Sequence, residues 1–122
     1  MERRLDIRVR DTVFEPDSSS KKVYYKKTEN KALYKVWLFL DGDDLPYVMN
    51  VTYKLHETFP NPVQTVRRAL SNPNCQLVIW TWGLFRVKVL IEEKSGVIRE
   101  FDYALQYDKE LRQKDVEFVE VA

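Results

Sequence analysis

The 122-residue chain has one cysteine, Cys75, and one histidine, His56. A lone cysteine closes no internal disulfide, and with one histidine it falls short of the four ligands of a structural zinc site. Glycine is scarce, at three residues, and no Gly-rich phosphate loop or His-Glu-x-x-His spacing is present. The longest apolar run is short, from Val36 to Leu40, too short to cross a bilayer. The opening residues Met1-Glu2-Arg3-Arg4-Leu5-Asp6 lack the apolar core of a signal peptide. Charge of neither sign dominates: 20 Lys+Arg stand against 19 Asp+Glu, for a net charge of +1. That excludes a polybasic protein held to nucleic acid by overall charge. The expectation is a single domain over residues 1–122, cytoplasmic (nuclear in a eukaryotic source), with no metal, no cofactor, no membrane partner, no direct nucleic-acid binding and no catalysis.

What is present is apolar residues in alternation. Hydrophobic residues make up 44% of the chain and charged residues 32%, the balance of a globular domain rather than a disordered one. Leu5, Ile7 and Val9 alternate with Asp6, Arg8 and Arg10, the period of a half-buried strand. Tyr34, Val36, Leu38 and Leu40 share one face with Lys35, Trp37 and Phe39 on the other, so this strand is expected to be covered on both sides. Tyr47 to Leu55, Phe85 to Ile91 and Val97 to Leu105 repeat the alternation, with Arg99 as its exception. Gln76 to Thr81 reads as a strand from its Val, Ile and Trp, and Asp115 to Val121 as a last one. Charge is uneven: ten basic and six acidic residues fall in 1–35, a mildly basic front end. The plain reading is a lysine-rich surface blunting an edge strand.

Turn chemistry separates these runs. Asp41-Gly42-Asp43-Asp44 divides two of them, and Lys94-Ser95-Gly96 signals a hairpin. Asp17 to Lys22 reads as an exposed loop. Within the region bracketed by Pro60, Pro62 and Pro73, the spacing of Val66, Ala69 and Leu70 predicts a short helical turn, and Lys109 to Lys114 another. Six to eight short antiparallel strands in a chain of this length imply an all-β fold of two packed sheets. An immunoglobulin-like β-sandwich of about eight antiparallel strands is expected, with a closed barrel as the alternative.

As chemistry, His56 offers a general base and Cys75 a nucleophile, but there is no second histidine. Glu57 beside His56 points to the opposite strand face. Two clusters stand where strand runs meet turns: Tyr53 to Pro62 and Trp80-Thr81-Trp82-Gly83-Leu84-Phe85. Such loop ends carry binding sites in sandwich domains. On residue pattern alone, the favoured reading is that Phe59 and Trp82 cap the end of the core.

The segment Lys54-Leu55-His56-Glu57-Thr58-Phe59-Pro60-Asn61-Pro62 resembles the Leu-His-x-Ser/Thr-Phe-x-x-Pro signature of YEATS domains. Thr81-Trp82-Gly83-Leu84-Phe85 resembles their Gly-Trp-Gly-x-Phe motif, with Thr81 in place of the first glycine. Val36 to Gly42 and Phe101 to Leu105 fit their early and late strands. The match runs from about Leu5 to Tyr107, and a domain this short is most similar to the prokaryotic YEATS group. The resemblance implies an immunoglobulin-like sandwich and a reader of acetyl- or crotonyl-lysine, with an acylated peptide or protein as partner. By that resemblance Phe59 and Trp82 are two aromatic walls and the Thr58 hydroxyl bonds the acylamide. The N–H groups of Trp82 and Gly83 meet its carbonyl, His56 orients the loop and Phe85 closes the floor. The aromatic third wall of the readers falls here near Ala32 or Leu33. The alternative function is a protein-interaction or small-ligand-sensing module of a bacterial signalling or defence system.

Overall fold

The computed structural model describes residues 5–16 and 19–121. Residues 1–4, where the signal-peptide reading fell, and Asp17 and Ser18 of the expected loop lie outside the described residues, as does Ala122. Among the described residues nine strands form: β1 (Arg8–Thr12), β2 (Lys22–Lys27), β3 (Ala32–Asp41), β4 (Val48–Lys54), β5 (Val63–Arg67), β6 (Leu77–Thr81), β7 (Arg86–Glu93), β8 (Ile98–Ala104) and β9 (Glu117–Glu120). One helical turn, α1 (Asp108–Leu111), and a 3-10 turn (Leu45–Tyr47) join them. Among the described residues no helix is long and apolar enough to cross a membrane.

Two sheets face each other, as the alternation predicts. One has the order β5-β4-β7-β8. The other is built around the long β3. Trp37 and Leu38 pair with both β1 and β6, and Tyr34 with both β2 and β6. So β1 and β2 share one side of β3 end to end, and β6 takes the other. The inward side chains Val36, Leu38 and Leu40 meet Val51, Tyr53, Val87, Val89 and Ile91 in one buried core. Full burial of an aliphatic side chain stabilises by about 1.5–3 kcal/mol, so these residues dominate the sandwich. On the outer face of β3, Trp37 is also buried, with the Lys35 ammonium 5.1 Å from its ring centroid.

The structure corrects four expectations. The helical turn read from Val66, Ala69 and Leu70 does not form: Val66 lies in β5, an edge strand paired to β4, and Ala69 and Leu70 follow in a turn where Ala69 bridges to Asn72. In β5, Val66 packs on the core while Val63, Thr65 and Arg67 face out, and Thr52 and Thr65 hydroxyls meet across the strands at 3.0 Å. Second, the strand read from Leu5 begins at Arg8. Leu5 to Ile7 instead lie against the turn at Asp41–Asp44, where the Asp6 N–H donates to the Asp44 carboxylate at 2.6 Å. Third, the strands are not all antiparallel, because β9 pairs parallel to β2. Fourth, the basic front end blunts an edge only in part: Arg8 and Arg10 lie on the edge strand β1, whereas β2 lies between β3 and β9, with its Lys26 over the Trp80 ring and its Lys27 paired with Glu120. Arg99, the exception to the alternation, is paired with the buried Glu93.

Candidate functional site

Two loops meet at one end of the sandwich. The first joins β4 to β5. It closes where the Leu55 N–H donates to the Pro62 carbonyl at 2.6 Å. Pro60 and Pro62 have no N–H to donate, so the chain cannot continue the ladder there. Inside the loop, the Phe59 N–H donates to the His56 carbonyl at 3.1 Å, a tight turn that folds Thr58 back over the imidazole.

The Thr58 N–H donates to His56 Nδ1 at 3.3 Å, so that nitrogen serves as an acceptor in the turn. The Thr58 hydroxyl, 2.9 Å from the same nitrogen, then donates to it too. The exposed Thr58 oxygen keeps lone pairs free to accept a further hydrogen bond. The His56 ring meets Phe85 edge-on at 6.3 Å, and Phe59 meets Phe85 at 5.4 Å with tilted planes. Phe85 is thus a common floor under both residues.

The second loop follows β6. The buried Thr81 hydroxyl donates to the Gly83 carbonyl at 3.2 Å, and that carbonyl also accepts from the Tyr107 hydroxyl at 2.9 Å. Burial, with nearby Tyr34 and carboxylates adding to it, pushes the Tyr107 hydroxyl pKa up to about 12, so it remains a donor. The threonine standing where the related motif has glycine therefore ties down the turn. The turn throws Trp82 outward, leaving it 63% exposed. Among the described residues the Trp82 N–H finds no acceptor, whereas the Gly83 N–H makes a long bond of 3.4 Å to the Thr81 hydroxyl.

Between the loops lies a cleft of about 590 Å³. All six residues singled out in the sequence, His56, Thr58, Phe59, Trp82, Gly83 and Phe85, line it. Phe59 rests on Phe85 and the edge of the core, and Trp82 stands free, so both rings border the opening. Sequence reasoning missed Lys31 and named Trp80 only as a member of its cluster. Lys31 comes from the β2–β3 turn and holds its ammonium 4.2 Å from the Trp82 ring centroid. Leu33 lies near the expected third wall, so an aliphatic side chain and a cation stand where an aromatic was anticipated. Trp80 lines the cleft from the outer face of β6, beneath the Lys26 ammonium at 4.2 Å. The signal for Lys31 was its position just before the early strand.

Cys75 lies in the core, outside this cleft. Its burial pushes the thiol pKa up to about 11, so it is protonated at neutral pH and not a nucleophile. Among the described residues no group of three or more His, Cys, Asp or Glu is placed to hold a metal.

Comparison with known proteins agrees with this architecture. The family signature of the prokaryotic YEATS domain matches residues 34–106. The TFIID subunit 14 of Schizosaccharomyces pombe is 37% identical over 76 residues, covering 61% of this chain and 30% of its own length. The AF-9 homolog of Candida glabrata is 41% identical over 69 residues, covering 53% of this chain and 29% of its own. The chain thus spans under a third of the length of these relatives. Among solved structures, the yeast AF-9 homolog Yaf9 superposes with a TM-score of 0.59 at 20% identity, over 84% of this chain and 67% of that one. The Yaf9 YEATS domain recognizing an H3K122suc peptide also gives 0.59, at 19% identity over 90% of this chain and 81% of that one. Bound to H3K27ac it gives 0.54, at 20% identity over 87% and 78%. These likenesses establish a shared fold.

Proposed function

The chain belongs to the prokaryotic YEATS family, and on that premise we propose that it is a non-catalytic, cytoplasmic recognition module that takes an acylated lysine into the cleft between Phe59 and Trp82. The observation that carries this reading is the convergence of all six expected residues, from two loops, on one apolar opening with hydrogen-bonding atoms at its side. An acyl-lysine suits such a site. Acylation removes the ammonium charge, so the side chain can leave water without the cost of desolvating an ion. It retains one amide, whose burial unpaired costs about 1–3 kcal/mol. The Thr58 oxygen accepts the amide N–H, and the Trp82 N–H donates to its carbonyl. The aromatic walls cover the flat amide, and each further CH₂ of the acyl chain adds about 0.8 kcal/mol at most. Yaf9, which shares the fold, is seen with succinylated and acetylated histone H3 peptides, and this supports the same ligand class here.

The test is a fluorescence titration of the protein with acetyl-, crotonyl- and unmodified lysine peptides. Saturable binding of acylated peptides alone is expected, lost in Trp82→Ala with the fold unchanged, since Trp82 stands free of the core. Phe59→Ala should lose binding and also some stability, because Phe59 packs on the core. Equal response to modified and unmodified peptides, or binding insensitive to Trp82→Ala, would replace this reading with a general protein-interaction module.

A further inference from the structure

We infer that the ligand of this cleft carries a carboxylate beside its acylamide, so that the protein selects anionic acyl-lysine segments and rejects basic, histone-like ones. This rests on the acyl-lysine reading above. The observation is Lys31. Its backbone is held in the β2–β3 turn, where the Thr28 N–H and hydroxyl both donate to the Lys31 carbonyl, at 2.8 and 2.9 Å. Its side chain extends over Trp82, with the ammonium 4.2 Å from the ring centroid. Among the described residues no acidic side chain lines the cleft, and Lys31 has no carboxylate partner. The nearest acids in sequence, Glu29 and Glu57, are exposed and outside the lining. A second cation, Lys26, sits over Trp80 on the same wall.

This arrangement makes the cost of binding depend on the ligand's charge. A neutral ligand stacking on Trp82 displaces the ammonium from the ring with nothing in exchange, since the attraction is to the ring quadrupole. A ligand with a carboxylate gives that ammonium an ion pair instead. A ligand flanked by Lys or Arg meets like charge on a wall with no compensating acid. The carboxylate has two chemical sources: the end of the acyl chain, as in succinyl-lysine, or an Asp or Glu next to an acetyl-lysine.

Four peptides distinguish them: succinyl-lysine in a neutral sequence, acetyl-lysine flanked by Glu, acetyl-lysine in a neutral sequence, and acetyl-lysine flanked by Arg. The wild type should bind one or both acidic peptides about two- to five-fold more tightly than the neutral one, the range of an exposed ion pair. The Arg-flanked peptide should bind most weakly, and the differences should shrink at high salt. Lys31→Met, which keeps the aliphatic stem, should level the series, and Lys31→Glu should reverse it. Tighter binding of the succinyl peptide alone assigns the carboxylate to the acyl chain, and of the Glu-flanked peptide alone to the flanking sequence. Neutral or Arg-flanked peptide binding as tightly as the acidic ones, or a preference surviving in Lys31→Met, overturns the inference while the acyl-lysine reading stands. No binding of any acylated peptide overturns both.

Discussion

The Tyr107 hydroxyl donates to the Gly83 carbonyl at 2.9 Å across 24 residues of sequence, tying the segment after the last long strand to the loop that presents Trp82. Through this bond and the Thr81 hydroxyl, the exposed Trp82 is carried on a turn anchored from below. Tyr107 is not among the residues that line the cleft; it positions the loop.

Tyr107→Phe is therefore expected to lower stability by about 1 kcal/mol, the net worth of one hydrogen bond, and to weaken acyl-lysine binding several-fold. Calorimetric titration well below the unfolding temperature separates the two effects. A purely structural role would lower the melting temperature and leave the dissociation constant where it was.

His56 Nδ1, 2.9 Å from the Thr58 hydroxyl, engages its proton and leaves its oxygen to accept from a ligand. Thr58→Val keeps the shape but leaves the ligand amide without an acceptor, and should weaken binding by about 1–3 kcal/mol. Thr58→Ser should bind nearly as the wild type. His56→Phe removes the acceptor that orients the hydroxyl and should fall between them. Titration of the three variants checks the order; Thr58→Val binding as tightly as Thr58→Ser would remove the hydroxyl from the site.

Two glycines should respond oppositely to alanine. Gly42 has φ +134°, and a Cβ there would lie 2.2 Å from the Asp6 carbonyl oxygen. Gly42→Ala should cost about 2–3 kcal/mol from strain and displacement of the Asp6 segment. A Cβ on Gly83 meets nothing within 4 Å, so Gly83→Ala should change stability by less than about 0.5 kcal/mol. Its methyl enters the cleft and should weaken ligand binding about ten-fold. Denaturant unfolding and titration on both variants read the contrast.

Glu110, on α1, accepts from the Thr12 hydroxyl at 2.8 Å and the Val13 N–H at 2.9 Å. Burial outweighs those bonds and raises its pKa above the ordinary 4.5. The folded state thus holds this proton more tightly than the unfolded state. The stability linked to it is present below the ordinary value and is lost as pH rises through the raised one. Glu110→Gln removes the titration, so its stability relative to wild type should increase as pH rises through that window. Asp41 and Glu100, both lowered by their cationic partners, lose their contribution in acid in both proteins and cancel in the difference. Urea unfolding across the acid-to-neutral range tests this; a difference that does not vary with pH would refute it.

Most of the sandwich was legible because alternation is a local property. The strands at 34–40, 47–55 and 97–105 show their period in the residues themselves, and the Lys94-Ser95-Gly96 hairpin follows from its turn chemistry, with Gly96 at φ +95°. β5 was misread because Val66 and Ala69 also fit a helical spacing, and pairing with β4 decides between the two. β2, Lys-Val-Tyr-Tyr-Lys-Lys, carries one fully buried residue, Val23, and too little apolar contrast to announce itself. Arg99 broke the pattern because its partner Glu93 comes from the neighbouring strand across the hairpin.

The sequence by itself determined the all-β class and the division into two half-buried sheets, since periodicity is written in neighbouring residues, while the six residues that line the cleft were named by the resemblance of two short motifs to those of YEATS domains. Tertiary structure alone decided that β9 runs parallel to β2, that Tyr107 holds Gly83 and that Lys31 stands over Trp82. Those contacts join segments far apart in the chain. Which of them meet depends on strand order and register, and these are set by the packing of the whole core.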